Sequence, residues 1–458
     1  MNQLLTSLQS RDADALLHPY TNAAMHRQIG AHVIERGEGI YVYDTTGKKY
    51  IEGMAGLWCC GLGFGDEELV DAAREQLGKL PYYHLFGGRS HEPAIELAEK
   101  LKALMPGMER VFYQSSGSEA NDTQVKLAWY YNNALGRPDK KKIISRVRGY
   151  HGVTIVAASL TGLPYNHKSF DLPVGRILHT SMPHFWRAAH DGETEGEFTA
   201  RLARELEELI MREGPETIAA FIAEPVMGAG GVIVPPEGYF EAIMPILQEY
   251  DILCIADEVI CGFGRTGEMF GHHKLNMQPT SVSVAKQLTG GYAPLSAVAI
   301  NGEMTEAIER HTGEIGLLGH GYTYGGHPLG CAVGVKALEI YETRNILAHV
   351  QGLQDGFQAK LRSYADHPLV GEARGVGLVG ALEVSPGISA LFEQPGKVGA
   401  RLATELLNHG VILRAIGDTL AFCPPMVITQ SELDALFEPM KAALDATHAW
   451  VRAEGLMH

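Results

Sequence analysis

At 458 residues the chain is well beyond the size at which burying a core is marginal, and its length fits two or three structural units or one large domain plus a smaller one. Its 45% hydrophobic and 20% charged residues are ordinary for a soluble globular protein, and a formal charge of −16 makes nucleic acid and anionic membrane surfaces poor partners. No apolar run approaches the ~20 residues needed to span a bilayer, no basic-then-apolar leader is evident, and six cysteines without a CxxC pair suit a reducing cytoplasm rather than a disulfide framework.

In chain order, residues 39–52 alternate in the β manner around a turn at Gly47-Lys48. The middle then reads as a strand over 110–114, a helix over 119–133 and a strand over 142–147. An amphipathic helix follows over 198–212, with Leu202, Leu206, Ile210 and Met211 near one face. Next come a strand over 218–223, a helix over 239–250, and strands over 252–256, 281–285 and 296–300. Beyond a helix from Val333, strands are expected over 376–384 and 411–414, and a helix over 431–447. Strands alternating with helices predict an α/β fold around a largely parallel sheet, and continuous apolar strands such as 252–256 fit a sheet covered on both faces. The expected division is a large domain over 59–325 and a smaller α+β domain built from both termini, 1–58 and 326–458. In such sheets ligands bind beyond the carboxyl ends of the strands.

Four strand ends carry unusual polar residues. Ser115-Ser116-Gly117-Ser118-Glu119 lies between a strand and a helix, where small residues and a helix N-terminus make either a phosphate cradle or a simple N-cap. Asp257-Glu258 directly follows an apolar strand, and a buried carboxylate there needs a structural ion pair, a metal or a cationic ligand. Lys286 follows the strand over 281–285; a lysine in an apolar site becomes a nucleophile, although most lysines are simply solvated. Gly149-Tyr150-His151-Gly152 offers an aromatic that could stack on a flat ligand or fill a core. A cradle, an aromatic, an acid and a lysine together are the parts a pyridoxal phosphate site needs.

The runs Asp257-Glu258-Val259-Ile260-Cys261-Gly262-Phe263-Gly264-Arg265-Thr266-Gly267 and Ser283-Val284-Ala285-Lys286-Gln287-Leu288-Thr289-Gly290-Gly291 resemble the acidic and lysine signatures of the class III aminotransferases, and the likeness runs from about Tyr41 to Pro425. Within that class, Gly56-Leu57-Trp58, Tyr150-His151-Gly152-Val153-Thr154, Glu224-Pro225-Val226-Met227-Gly228-Ala229 and His320-Gly321-Tyr322-Thr323 look most like the amine–pyruvate or ω-transaminase branch. The resemblance implies the fold type I (aspartate aminotransferase-like) architecture. It implies a homodimer with both sites at the interface, with a tetramer built from two such dimers also compatible. It implies pyridoxal 5'-phosphate held by Lys286 as a Schiff base, with Asp257 on the pyridine nitrogen. Ser116, Gly117 and Ser118 would bind the phosphate, Tyr150 and Val259 would sandwich the ring, and His151 and Glu224 would stand close by. Thr323 would reach the phosphate bound by the other subunit. Leu57, Trp58, Phe86, Tyr150 and Val153 would line the substrate pocket, with Arg414 as a movable carboxylate clamp. Where the ornithine and 4-aminobutyrate branches carry an acid after the position of Gly228, this chain has Ala229, which favours an amine–pyruvate reading.

The expected reaction moves an amino group from a primary amine or ω-amino acid to pyruvate by a ping-pong mechanism. The rivals on the same cofactor are an aminomutase, which needs no keto acid as second substrate, a decarboxylating aminotransferase, and an ω-amino acid or diamine aminotransferase of the same class. A non-catalytic α/β binding protein would be colourless. Gly61-Leu62-Gly63-Phe64-Gly65 lacks the spacing of a dinucleotide fingerprint. His272-His273 is expected at the surface, and no metal site is expected.

Overall fold

The computed structural model describes residues 5–386, 392 and 394–456. Seven strands form the central sheet and are numbered here along the chain: β1 (Met108–Gln114), β2 (Lys142–Arg146), β3 (Ile177–Thr180), β4 (Ile218–Ala223), β5 (Leu253–Asp257), β6 (Ser281–Val284) and β7 (Ser296–Asn301). Their spatial order is β1-β7-β6-β5-β4-β2-β3. All pairings from β6 to β3 are parallel, while β7 runs antiparallel to both β6 and β1. Six strands therefore point the same way, and their carboxyl ends share one edge.

Every residue of β4 and β5 is buried, as a sheet covered on both faces requires. The period-2 alternation sorts the two faces. Ala220, Ile222 and Ile255 pack with Ala120, Val125 and Ala128 of the helix Gly117–Ala134. Phe221, Ala223 and Cys254 belong to the opposite cluster, with Leu202, Leu206 and Ile210 of the helix Glu195–Glu213 and Phe240 and Ile243 of Tyr239–Glu249. Phe221 is fully buried, a burial worth about 1.5–3 kcal/mol over leaving it in water.

Two smaller sheets flank this one. The strands Ile34–Glu38, Tyr41–Asp44 and Lys49–Glu52 form an antiparallel meander, to which Val411–Ile412 adds in parallel, so segments near both termini share a sheet. The other is antiparallel and joins Glu372–Val376, Val379–Glu383, Thr419–Phe422 and Arg414–Ile416.

Some expected elements divide. The single strand over 376–384 is the second half of a hairpin turning at Gly377, whose φ of 56° suits glycine. The strand over 411–414 is interrupted at Leu413, with its two parts in different sheets. The helix over 431–447 is two helices, Gln430–Phe437 and Met440–Glu454, parted at Pro439, which has no N–H to continue the first. The helix expected from Val333 starts at Pro328, whose fixed φ suits the first turn, behind a His327 side chain that accepts from the Leu329 amide. Among the described residues, no helix is long and apolar enough to cross a membrane.

Candidate active site

Five segments leave the carboxyl ends of β1, β2, β4, β5 and β6 and meet around a cavity of about 350 Å³. Ser116, Gly117, Ser118, Tyr150, His151, Glu224, Asp257, Val259 and Lys286 all line it. These are the nine residues the sequence assigns to the cofactor within one chain.

At the end of β1, Ser116 caps the helix Gly117–Ala134: its Oγ accepts from the Glu119 amide, and the Glu119 carboxylate accepts from the amides of Ser115 (2.8 Å) and Ser116 (3.1 Å). The Ser116 side chain is thus engaged as a cap, and the next amides, of Gly117 and Ser118, are the ones a helix N-terminus leaves unpaired. Gly117 fits because a Cβ there would sit 3.1 Å from Val259 Cγ1. Gly152 fits for a stronger reason: its φ is 131°, and a Cβ would fall 2.4 Å from Ser118 Oγ.

Asp257 ends β5 and is 2% exposed. Its Oδ2 accepts from Asn121 Nδ2 (2.7 Å) and His151 Nδ1 (2.8 Å), and its Oδ1 accepts from the Val259 amide at 3.2 Å. No arginine or lysine pairs with it among the described residues, so the structural ion pair weighed for this acid is, in fact, a histidine–amide clamp. Asn121 also donates to the His151 carbonyl (2.7 Å), and Thr161 Oγ1 accepts from the His151 amide (2.9 Å), so the clamp is itself held. The sequence assigns Asn121 no role of its own: it is one of several buried polar residues on this helix, with Thr123, Gln124 and Asn132, and nothing local singles it out.

Glu258 turns away. Its carboxylate accepts from the amides of Gly271 (3.0 Å) and His272 (2.6 Å) and from His272 Nδ1 (2.8 Å). His272 is therefore 6% exposed rather than at the surface, because this buried acid draws it in; His273 alone stays outside. Glu224 is fully enclosed at the end of β4, and both its oxygens hold backbone: the amides of Tyr150 and Gly228, each at 2.9 Å. Burial, against the pull of His151, pushes its carboxyl above the usual range. The Tyr150 phenol is likewise raised, by burial and by neighbouring Tyr20.

Lys286 stands two residues beyond β6 with a left-handed φ of 48°, a conformation uncommon for a side chain of this size. It is partly buried, and its Nζ has no hydrogen-bond or ion-pair partner among the described residues.

The residues assigned to the substrate are less gathered. Leu57, Phe86 and Val153 are 58%, 49% and 56% exposed, and Thr323 is exposed as well. Trp58 is 2% exposed and packs with the main core. Glu52 shapes the loop that carries Leu57 and Trp58: its buried carboxylate accepts from the amides of Met54 (3.1 Å) and Gly56. Ala55, Gly56 and Trp58 all have positive φ. Arg414 is partly buried, close enough to Tyr150 and Tyr165 to act on both electrostatically, and has no carboxylate partner among the described residues. Ala229 is buried between two glycines that a Cβ would drive into Ile260 and the Arg148 carbonyl.

Comparison with known proteins agrees with this geometry. Residues 22–444 match the family model described as aminotransferase class-III. Gamma aminobutyrate transaminase 3, chloroplastic, of Solanum lycopersicum is 49% identical over 446 residues, covering 96% of this chain and 86% of that protein. Gamma-aminobutyrate transaminase 1, mitochondrial, of Oryza sativa subsp. japonica is 50% identical over 94% of this chain and 84% of its own length. Among solved structures, the omega transaminase from Pseudomonas jessenii in complex with PMP superposes with a TM-score of 0.96 at 51% identity, covering 97% of this chain and 99% of that one. A transaminase solved with L-alanine superposes at 0.90 with 53% identity, covering 92% and 100%. A lysine, an acid and a helix N-terminus brought to one sheet edge, in a chain related along nearly its whole length to transaminases, make this protein a class III aminotransferase, dependent on pyridoxal phosphate.

Proposed function

We propose that the protein transfers an amino group from a primary amine or ω-amino acid to pyruvate in two half-reactions at one site. The observation that carries this reading is the convergence of Lys286, Asp257 and the Gly117–Ser118 helix terminus on a single cavity. These residues fit pyridoxal phosphate. The amides of Gly117 and Ser118 suit a phosphate. The Asp257 carboxylate, fixed by Asn121 and His151, suits a protonated ring nitrogen. Tyr150 and Val259 line the same cavity and would pack on the two faces of a flat ring, and Ser116 reinforces the terminus as its cap.

When bound, pyridoxal phosphate supplies an aldehyde for covalent capture and a ring that withdraws electrons from the carbon bearing the nitrogen. Lys286 would hold that aldehyde, and its Nζ, once freed by an incoming amine, would take the proton from the amine-bearing carbon and return it to the cofactor, tethering keeping the transfer short. Asp257 keeps the ring nitrogen charged, and Glu224 positions the backbone under Tyr150. Arg414 binds the carboxylate of the keto acid and swings aside for an amine that has none; Ala229 leaves it without an acidic partner. Leu57, Trp58, Phe86 and Val153 favour apolar substituents on the amine.

Pyruvate as acceptor is supported by the relative solved with L-alanine, its aminated form. The relatives named as gamma aminobutyrate transaminases make 4-aminobutyrate the second donor to try. We further propose a homodimer, in which exposed Phe86 and Thr323 are covered by the partner and Thr323 serves its site; the division at 59–325 would separate the cofactor-binding domain from the smaller one. Six free cysteines, four of them buried, support a reducing compartment such as the cytoplasm.

The test is spectroscopic. The visible band of the loaded protein should bleach with 1-phenylethylamine alone and return with pyruvate. Bleaching only with amino acids would shift the donor class to that of the gamma aminobutyrate relatives. Turnover without any keto acid would favour a mutase.

A further inference from the structure

Two short helices, Ser7–Ala15 and Ala23–Ile29, form an N-terminal arm outside the three sheets. Three side chains converge where they meet. Asp12 comes from the first helix, His26 from the second and His18 from the connection. His18 Nε2 lies 2.9 Å from Asp12 Oδ2 and 3.0 Å from Oδ1, His26 Nε2 lies 2.8 Å from the same Oδ2, and the two rings are 4.3 Å apart. One ligand atom from each residue falls within 4.8 Å of the other two.

The chemistry of this trio is that of a metal ligand set. Neither Nδ1 has a partner among the described residues, so both are free to carry the proton; without metal Asp12 holds both rings as Nε2–H donors, and an ion that displaces those two protons would turn both Nε2 lone pairs inward. Tetrahedral ligands about 2.0–2.1 Å from an ion stand about 3.3 Å apart, a few tenths of an ångström beyond the spacing seen. His18 and Asp12 keep 29% and 16% of their side-chain surface in solvent, which leaves an entry path and a face for a water ligand. Two imidazoles and one carboxylate select zinc-class cations over calcium or magnesium.

We propose that Asp12, His18 and His26 bind one divalent transition-metal ion of the zinc class, with solvent in the fourth position, and that the ion joins the two helices of the arm and so fixes the connection that carries Tyr20 to the mouth of the active site. Tyr20 sits between the two histidines in the chain. Its hydroxyl accepts from Asn166 Nδ2 at 2.7 Å, and its ring packs edge-on against Tyr165 at 5.9 Å, beside the Tyr150 phenol. An ion between the helices shortens the freedom of the connection that presents Tyr20. Without metal, the same trio serves as a clasp in which both rings donate Nε2–H to Asp12.

Untagged, cofactor-loaded protein, stripped with chelator and dialysed against zinc chloride, should retain one zinc per chain. His26→Ala and Asp12→Ala should weaken that binding at least tenfold while keeping the cofactor absorbance that marks an intact fold. Tryptic cleavage after Arg11 and Arg27 should slow several-fold with zinc in the parent protein only. No stoichiometric zinc, or equal zinc in parent and variants, would overturn the site and leave the histidine–carboxylate clasp. Unchanged cleavage with zinc bound would overturn its role in fastening the arm.

Discussion

The inner wall of the active site and the outer wall proposed for its substrate are built differently. Asp257, His151, Asn121 and Glu224 are each no more than 3% exposed, stand on or beside strand ends, and hold one another or the backbone by hydrogen bonds. Leu57, Phe86 and Val153 are about half exposed, stand on loops, and in a single chain face open space; Arg414 has no fixed partner among the described residues. A wall on rigid elements with its polar groups satisfied keeps one geometry, whereas a wall of loops can be rebuilt without disturbing it. Chemistry common to a family and substrate choice particular to a member would accordingly rest on two differently built sets of residues.

Breaking the inner wall should cost most. Lys286→Ala is expected to lower multiple-turnover transamination by about 10⁴-fold, measured by acetophenone release from 1-phenylethylamine with pyruvate; normal turnover would end the assignment. Asp257→Asn should lose about 100-fold in kcat, because a neutral amide cannot hold a proton on the ring nitrogen, and a wild-type rate in single-turnover absorbance traces would refute that role. The outer wall should respond selectively. Arg414→Ala is expected to reduce kcat/KM for pyruvate by about 10–100-fold, the loss of one charge-assisted carboxylate contact, and to change that for 1-phenylethylamine by less than about threefold. Equal losses in both half-reactions would show that Arg414 is not a carboxylate clamp.

The smallest effect concerns Glu52, beneath the Leu57–Trp58 loop. Burial pushes its carboxyl up to about 7, from 4.5 for an unburied glutamate. Between those values the folded protein binds more protons than the unfolded chain, so this group's contribution to stability falls as pH rises from about 5 to about 7. Glu52→Gln should remove that slope, worth about 1–3 kcal/mol across the window. Melting curves of parent and variant that stay parallel across the range would contradict it.

Asp257, Lys286 and the Ser116–Ser118 run were legible in the sequence because each breaks a local pattern: an acid closing an apolar strand, a lysine opposite a glycine turn, small polar residues before a helix. Asn121 broke none, since its partners Asp257 and His151 lie far along the chain and only the fold brings them together. His272 was misjudged because adjacent histidines look solvated, while the Glu258 that buries one of them was read only as a companion to Asp257. The strand β3 escaped notice as a short edge strand with three of its four residues only partly buried, too mixed to alternate. The hairpin at Gly377 and the break at Pro439 were signalled by single residues inside otherwise continuous patterns. Leu57, Phe86 and Val153 were named by likeness alone, and no periodicity points to them.

The pairing of Lys49–Glu52 with Val411–Ile412 bears on how the protein is made. The early strand leaves the ribosome about 360 residues before its neighbour, roughly 20–70 s at ordinary rates of synthesis. Throughout that time the meander keeps an open edge, whereas the last strand of the central sheet, Ser296–Asn301, emerges about 110 residues before Val411. The loop of Leu57 and Trp58, tethered to Glu52, is thus among the last parts to be secured. A nascent chain would acquire its place for the cofactor before its taste in substrates.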